Sequence, residues 1–165
     1  MKKVILALCM SVAVLCGTAC GNNSKADSSN RDNADKNITI DVSKLGEELA
    51  KNGKFSTHDE MTAVNQTMAD NVFDISEIGI KEESVYMGSG SSDLVAVFKI
   101  PDGKKNDLES KMKSYIDEQI NQAQGYTPDQ VDNLKNCIYY SVGQYYIVVV
   151  SNDNDTINGI IDKYK

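Results

Sequence analysis

The run Cys137-Ile138-Tyr139-Tyr140-Ser141-Val142, then Gly143-Gln144, then Tyr145-Tyr146-Ile147-Val148-Val149-Val150, leaves this chain few ways to fold. Its residues are β-branched or aromatic and suit a pleated, packed surface far better than a helix. Gly143 supplies the positive φ that a two-residue hairpin turn requires. Closing the turn at Gly143-Gln144 sets Val142 opposite Tyr145, Tyr140 opposite Ile147 and Ile138 opposite Val149. The other face then carries Cys137, Tyr139, Ser141, Tyr146, Val148 and Val150. Both faces are apolar, so the hairpin is expected in the middle of a sheet with cover on both sides.

The rest of the chain supplies that cover. Ser84–Met87 and Leu94–Ile100 flank Gly88-Ser89-Gly90-Ser91-Ser92 and read as a second hairpin with a flexible loop. The loop is a poor phosphate cradle, since a strand and not a helix follows it. Between the hairpins, Leu108, Met112, Tyr115, Ile116, Ile120 and Ala123 form one apolar stripe. They predict a long helix capped by Asn106 and Glu109 and ended by Gly125. Thr127-Pro128-Asp129-Gln130 starts a shorter helix with Val131 and Leu134 inward.

Towards the N-terminus, Ser43 caps a helix bearing Leu45 and Leu49, which stops at Asn52-Gly53. Thr57-His58-Asp59-Glu60 has the form of a capping box for a helix bearing Met61, Val64, Met68 and Val72. At the other end, Ile157, Ile160, Ile161 and Tyr164 give a last short helix. The expected domain, 38–165, is therefore α+β: a four-stranded antiparallel sheet from two hairpins, a long amphipathic helix between them, and N- and C-terminal helices.

Ahead of the domain, Lys2 and Lys3 precede an uncharged apolar run from Val4 to Cys16. That run is too short for an ordinary membrane span but suits a signal-peptide core. Gly17-Thr18-Ala19-Cys20 then has the pattern of a bacterial lipoprotein signal, with residues 1–19 removed and Cys20 diacylated. Residues 21–37 are rich in Asn, Ser, Asp and Lys and contain no apolar residue larger than Ala. They read with Cys20 as a lipidated, disordered tether reaching roughly 20–25 Å. The expected place is the extracytoplasmic face of a cell membrane, held by lipid.

The chain carries a formal charge of −7, and removing Lys2 and Lys3 takes it to −9. Such a surface repels phosphate backbones, so nucleic acid is not an expected partner. Cys9 and Cys16 leave with the signal and Cys20 is acylated, so Cys137 is the one remaining thiol. An internal disulfide framework is excluded, and the fold has to stand on its core.

Leu94-Val95-Ala96-Val97-Phe98-Lys99, the helix after Pro101-Asp102-Gly103, Tyr126-Thr127-Pro128, Leu134-Lys135-Asn136 and the Gly143-Gln144-Tyr145 turn carry a resemblance. From about Leu45 to Tyr164 the chain resembles the bacterial lipoprotein family called domain of unknown function 4358. The resemblance implies a small lipoprotein and supplies no catalytic residues.

The residues themselves offer little chemistry. His58 is the one histidine and is expected on the surface at a helix start. Cys137 reads as a small buried hydrophobe. Asn152-Asp153-Asn154-Asp155 has calcium-type oxygens, but Ile157 falls where a third ligand belongs, so Asp as a helix cap is the better reading. Neither metal nor cofactor is expected. The four tyrosines 139, 140, 145 and 146 are strand formers first and recognition residues second. As a recognition surface, the better set is Tyr139, Ser141 and Tyr146, with the aliphatic face taking the long helix. The expected function is a non-enzymatic binding or accessory module of the cell envelope for a protein, peptide or glycan. The alternative is a small envelope hydrolase using His58 or carboxylates.

Overall fold

The computed structural model describes residues 38–164. The signal segment, Cys20 and the tether read from the sequence lie outside them. The elements run α1 (Val42–Asn52), β1 (Thr62–Val64), α2 (Gln66–Phe73), β2 (Glu82–Met87), β3 (Leu94–Lys99), α3 (Lys105–Tyr126), α4 (Val131–Lys135), β4 (Ile138–Val142), β5 (Tyr145–Val150) and α5 (Asn154–Ile161). All five strands join one sheet in the order β1-β2-β3-β5-β4, antiparallel at every pairing.

The β4–β5 hairpin has the register that its sequence demands, with Val142 opposite Tyr145 and Ile138 opposite Val149. Gly143 sits at φ 55° in its turn. The hairpin is not central, however. β5 pairs with β3 along its whole length and is buried at every residue, whereas β4 is the terminal strand. Alternation explains the difference: Tyr139 and Ser141 tolerate water, and no position of β5 does.

The sheet has five strands, not four, and the extra one replaces part of an expected helix. Thr57 does not cap a helix: its hydroxyl accepts from the Asp59 N–H at 3.3 Å and donates to the Ser89 carbonyl at 3.4 Å. The chain therefore stays extended, and β1 adds to β2 through Thr62↔Met87 and Val64↔Val85. The helix starts later, at Asn65, whose side chain accepts from the Met68 N–H at 2.9 Å. Likewise Asp41, not Ser43, caps α1 by accepting from the Lys44 N–H at 3.0 Å. Neither Asn106 nor Gly125 bounds α3: the helix starts at Lys105 without a side-chain cap and runs on to Tyr126.

Two helical layers cover the sheet. α3, α2 and α4 pack on Ala96, Phe98, Tyr146 and Val148, with Leu108 and Met112 wholly buried between. α1 and α5 pack on Val95, Val97, Ile147 and Val149. The expected cover is thus reversed, because the long helix lies on the tyrosine-bearing face. The chemistry of each layer accounts for this. The α3 layer brings aromatic and long side chains: Phe73 meets Phe98 and Tyr115 edge-on, at ring-centroid distances of 6.2 and 4.9 Å. The α1 layer is compact and aliphatic, and Gly46 lets its backbone settle onto β2. A β-carbon there would lie 2.2 Å from the Ser84 Oγ.

Candidate functional site

A cleft of about 560 Å³ lies between α1, the segment 53–61 and the β1–β2 edge. Its floor includes Phe55, Met61 and Tyr86, which also pack against the α1 layer of the core. Its rim brings Glu47 and Lys51 from α1 together with His58, Asp59 and Glu60 from the segment.

The 53–61 segment has no regular structure of its own, so other elements hold it. The Asn152 N–H donates to the Lys54 carbonyl at 2.8 Å, and the Lys54 ammonium reaches the Asp153 carboxylate at 2.5 Å. Lys54, helped by the Thr156 N–H and hydroxyl, holds the Asp153 carboxyl at about 2, well below the usual range. Asp153 also caps α5, as the sequence implied for this turn. The Ser56 hydroxyl donates to the Asn152 side chain at 2.8 Å and accepts from Asn133 at 3.2 Å. Asp93, only 2% exposed, accepts from the Thr57 N–H at 2.7 Å and from the Ser91 hydroxyl at 2.6 Å. Gln130 in turn accepts from the Ser92 N–H and hydroxyl at 2.6 and 2.7 Å. The β2–β3 loop is therefore tied at several points and is not the free loop that its glycines and serines led us to expect.

Asp93 is the keystone of that arrangement. Asp93→Ala strands the Thr57 N–H and Ser91 hydroxyl and is expected to cost about 1–3 kcal/mol. Amide exchange should quicken over residues 54–61 while the β3 and β5 amides change little; uniform acceleration would mean that Asp93 supports the whole fold instead.

Charge at the cleft is unbalanced. Three rim carboxylates face one ammonium, an excess of two negative charges. Lys51 bonds Glu47 at 2.5 Å. That bond first, then the nearby charges of Glu47, Tyr86 and Glu60, raises the Lys51 ammonium above its ordinary value. The cleft suits a partner with an apolar part and positive or neutral polar groups. Among the described residues, no three metal-ligating side chains are grouped to hold an ion.

The residues singled out from sequence fall elsewhere, apart from His58. Tyr146 is buried under α3, its hydroxyl without a hydrogen-bond partner, so Tyr139, Ser141 and Tyr146 do not form one open surface. Burial, then Glu109 and Cys137, pushes the Tyr146 hydroxyl up. Tyr139 is 37% exposed at the sheet's edge, and Ser141 is half-buried beside it. Burial pushes the Cys137 thiol up to about 12 despite its bonds to Tyr139 and the Val149 backbone, which suppresses the thiolate that nucleophilic chemistry needs. Cys20 lies outside the described residues. Sequence reasoning missed Asp93, Asn133 and Asn152 as tie points because the partners that hold the segment are 19 to 96 residues away.

No curated protein and no solved structure matches this chain. One family model does, over residues 54–151, which takes in the pinned segment, all five strands and the two helices between β3 and β4. The chain belongs to the family described as Domain of unknown function (DUF4358).

Proposed function

We propose that this chain is a membrane-anchored extracytoplasmic lipoprotein acting as a non-enzymatic binding or accessory module of the cell envelope. Its binding site is the cleft beside α1. The observation carrying this reading is the pinned 53–61 segment, which holds an apolar floor and an acidic rim in place before any partner arrives. A basic peptide or protein segment with aliphatic side chains is the matching partner. The anchor rests on the Gly17-Thr18-Ala19-Cys20 signal. No helix of the described residues is long and apolar enough to cross a membrane.

Two measurements test the reading. In detergent phase partitioning, the wild type should enter the detergent phase and Cys20→Ala should remain aqueous; equal aqueous recovery removes the anchor. In NMR titration, a lysine- and leucine-containing peptide should shift the Phe55, Met61 and Tyr86 signals, and its glutamate counterpart should not. Glu60→Lys should weaken the lysine peptide about tenfold, the order expected for reversing a rim charge. Equal response to both peptides would remove the cleft from consideration.

The hydrolase reading draws on His58 sharing the cleft with three carboxylates. The neighbouring hydroxyls are already engaged, Ser56 with Asn152 and Asn133, Thr57 with Ser89 and Asp59. His58→Ala should therefore leave peptide binding intact, and the peptide should survive prolonged incubation with the wild type.

A further inference from the structure

Ala63 stands where the cleft meets the open edge of the sheet. Among the described residues β1 pairs with β2 alone, and Ala63 is exposed at its centre. The alternation of an antiparallel ladder fixes where its backbone points. The Gly88 N–H donates to the Asp93 carbonyl at 3.1 Å, and these two residues continue the β2–β3 register. Gly88, Tyr86 and Ser84 therefore turn their backbone groups to β3, while Met87 and Val85 turn theirs to β1. Thr62 and Val64, which stand opposite Met87 and Val85, use their own groups on β2 in return. The Ala63 N–H and C=O are then both directed out of the sheet, where neither has a hydrogen bond among the described residues. The side chains alternate too: Met61, Ala63 and Tyr86 line the cleft, and Val64 packs on the α2–α3 side.

We propose that the cleft takes an extended peptide, which adds antiparallel to β1 as a sixth strand. It sets an apolar residue opposite Ala63 and a lysine or arginine two residues further towards its own C-terminus. The proposal rests on the binding reading of the same cleft and names the conformation and spacing of its partner. One peptide residue opposite Ala63 satisfies both outward groups, donating its N–H to the Ala63 carbonyl and accepting from the Ala63 N–H. Residues opposite each other in a sheet share a face, so that residue's side chain enters the cleft beside Phe55, Met61 and Tyr86. Two residues on, the next side chain of that face stands opposite Met61 and so reaches Asp59 and Glu60. Lys51 is already held by Glu47, which leaves those two carboxylates to face a partner's cation. The same charge turns away a second copy of this chain, itself at −7, and segment 21–37 has no apolar residue larger than Ala for the floor.

NMR titration of the full chain in detergent micelles separates the strand pairing from the cleft itself. The probe is a capped five-residue peptide with leucine second, lysine fourth and threonine elsewhere. It should shift the Phe55, Met61 and Tyr86 signals, move the Ala63 amide proton downfield and slow its exchange. N-methylating the leucine removes the donor to the Ala63 carbonyl and should weaken binding about tenfold. N-methylating the threonine after it blocks an N–H directed away from β1 and should change little. Moving the lysine to the third position turns it to the Thr62 and Val64 face and should also weaken binding about tenfold. Equal binding by that peptide overturns the register. Cleft signals that shift while the Ala63 amide stays unmoved, or while both methylated peptides bind alike, keep the cleft as a site and overturn strand addition. If no peptide moves any of these signals, the cleft reading falls and this proposal falls with it.

Discussion

Met112→Asp unfolds the domain. Met112 is wholly buried in the middle of the α3 stripe, between the helix and the Ala96–Phe98–Tyr146 face of the sheet. A carboxylate placed there has no cation to pair with, and the cost of burying it unpaired exceeds about 4 kcal/mol, the region of the largest single-residue effects. Domains of this size have about 5–15 kcal/mol in hand, so most or all of the stability is lost. Met112→Leu keeps volume and polarity and should cost less than about 1.5 kcal/mol. Near-UV circular dichroism and thermal melting compare the two. An unchanged melting temperature for Met112→Asp would mean that α3 does not pack as described.

The same stripe shows how far the sequence carries. Leu108, Met112, Ile116 and Ala123 are buried as their spacing implies, and the Val142↔Tyr145 register follows from one glycine and the strand alternation. These are local facts: periods of 3.6 and 2 that a few adjacent residues already display. Which layer covers which face is not local. Tyr146 looked tolerant of water because its hydroxyl is polar, yet the size of α3's side chains places the aromatic face beneath it. The β1–β2 pairing was missed for the same reason. Thr57 and Glu60 have the spacing of a capping box, but the Thr57 N–H is taken by Asp93, at 2.7 Å and 36 residues away. A tertiary bond to a buried carboxylate outweighs a local cap worth about 1 kcal/mol.

The site was less legible than the fold. Glu47 and Lys51 read as an ordinary i, i+4 pair on an exposed helix face, and such pairs are common solvated features. Only the placement of the 53–61 segment turns them into one wall of a cleft, with His58 on the other. That placement depends on Asn133 and Asn152, whose side chains bond to each other and to Ser56. Nothing near either residue marks it as a tie point.

A buried acid also escaped notice in the sequence, where Glu82-Glu83 has the look of two solvated carboxylates. Only Glu82 behaves so, bonding Lys99 at 2.5 Å near the surface. Glu83 stands opposite Phe98 on the α3 face, and both its carboxylate oxygens are buried without a hydrogen-bond partner. Burial, reinforced by Asp70 on α2, pushes its carboxyl up to about 7. The unfolded chain releases this proton near pH 4.5, so between about pH 4.5 and 7 the folded state holds a proton that the unfolded state has lost. Stability from this group is therefore complete below pH 4.5 and falls as pH rises, levelling off above 7. Allowing for partial screening by solvent, the loss is about 1–2 kcal/mol. Glu83→Gln keeps the shape and cannot ionise, so it should be the more stable protein at pH 8 by that amount. At pH 4.5 the two should differ little. Urea midpoints at both pH values measure the difference, and an equal gap between wild type and Glu83→Gln at the two would show that folding does not shift the Glu83 carboxyl.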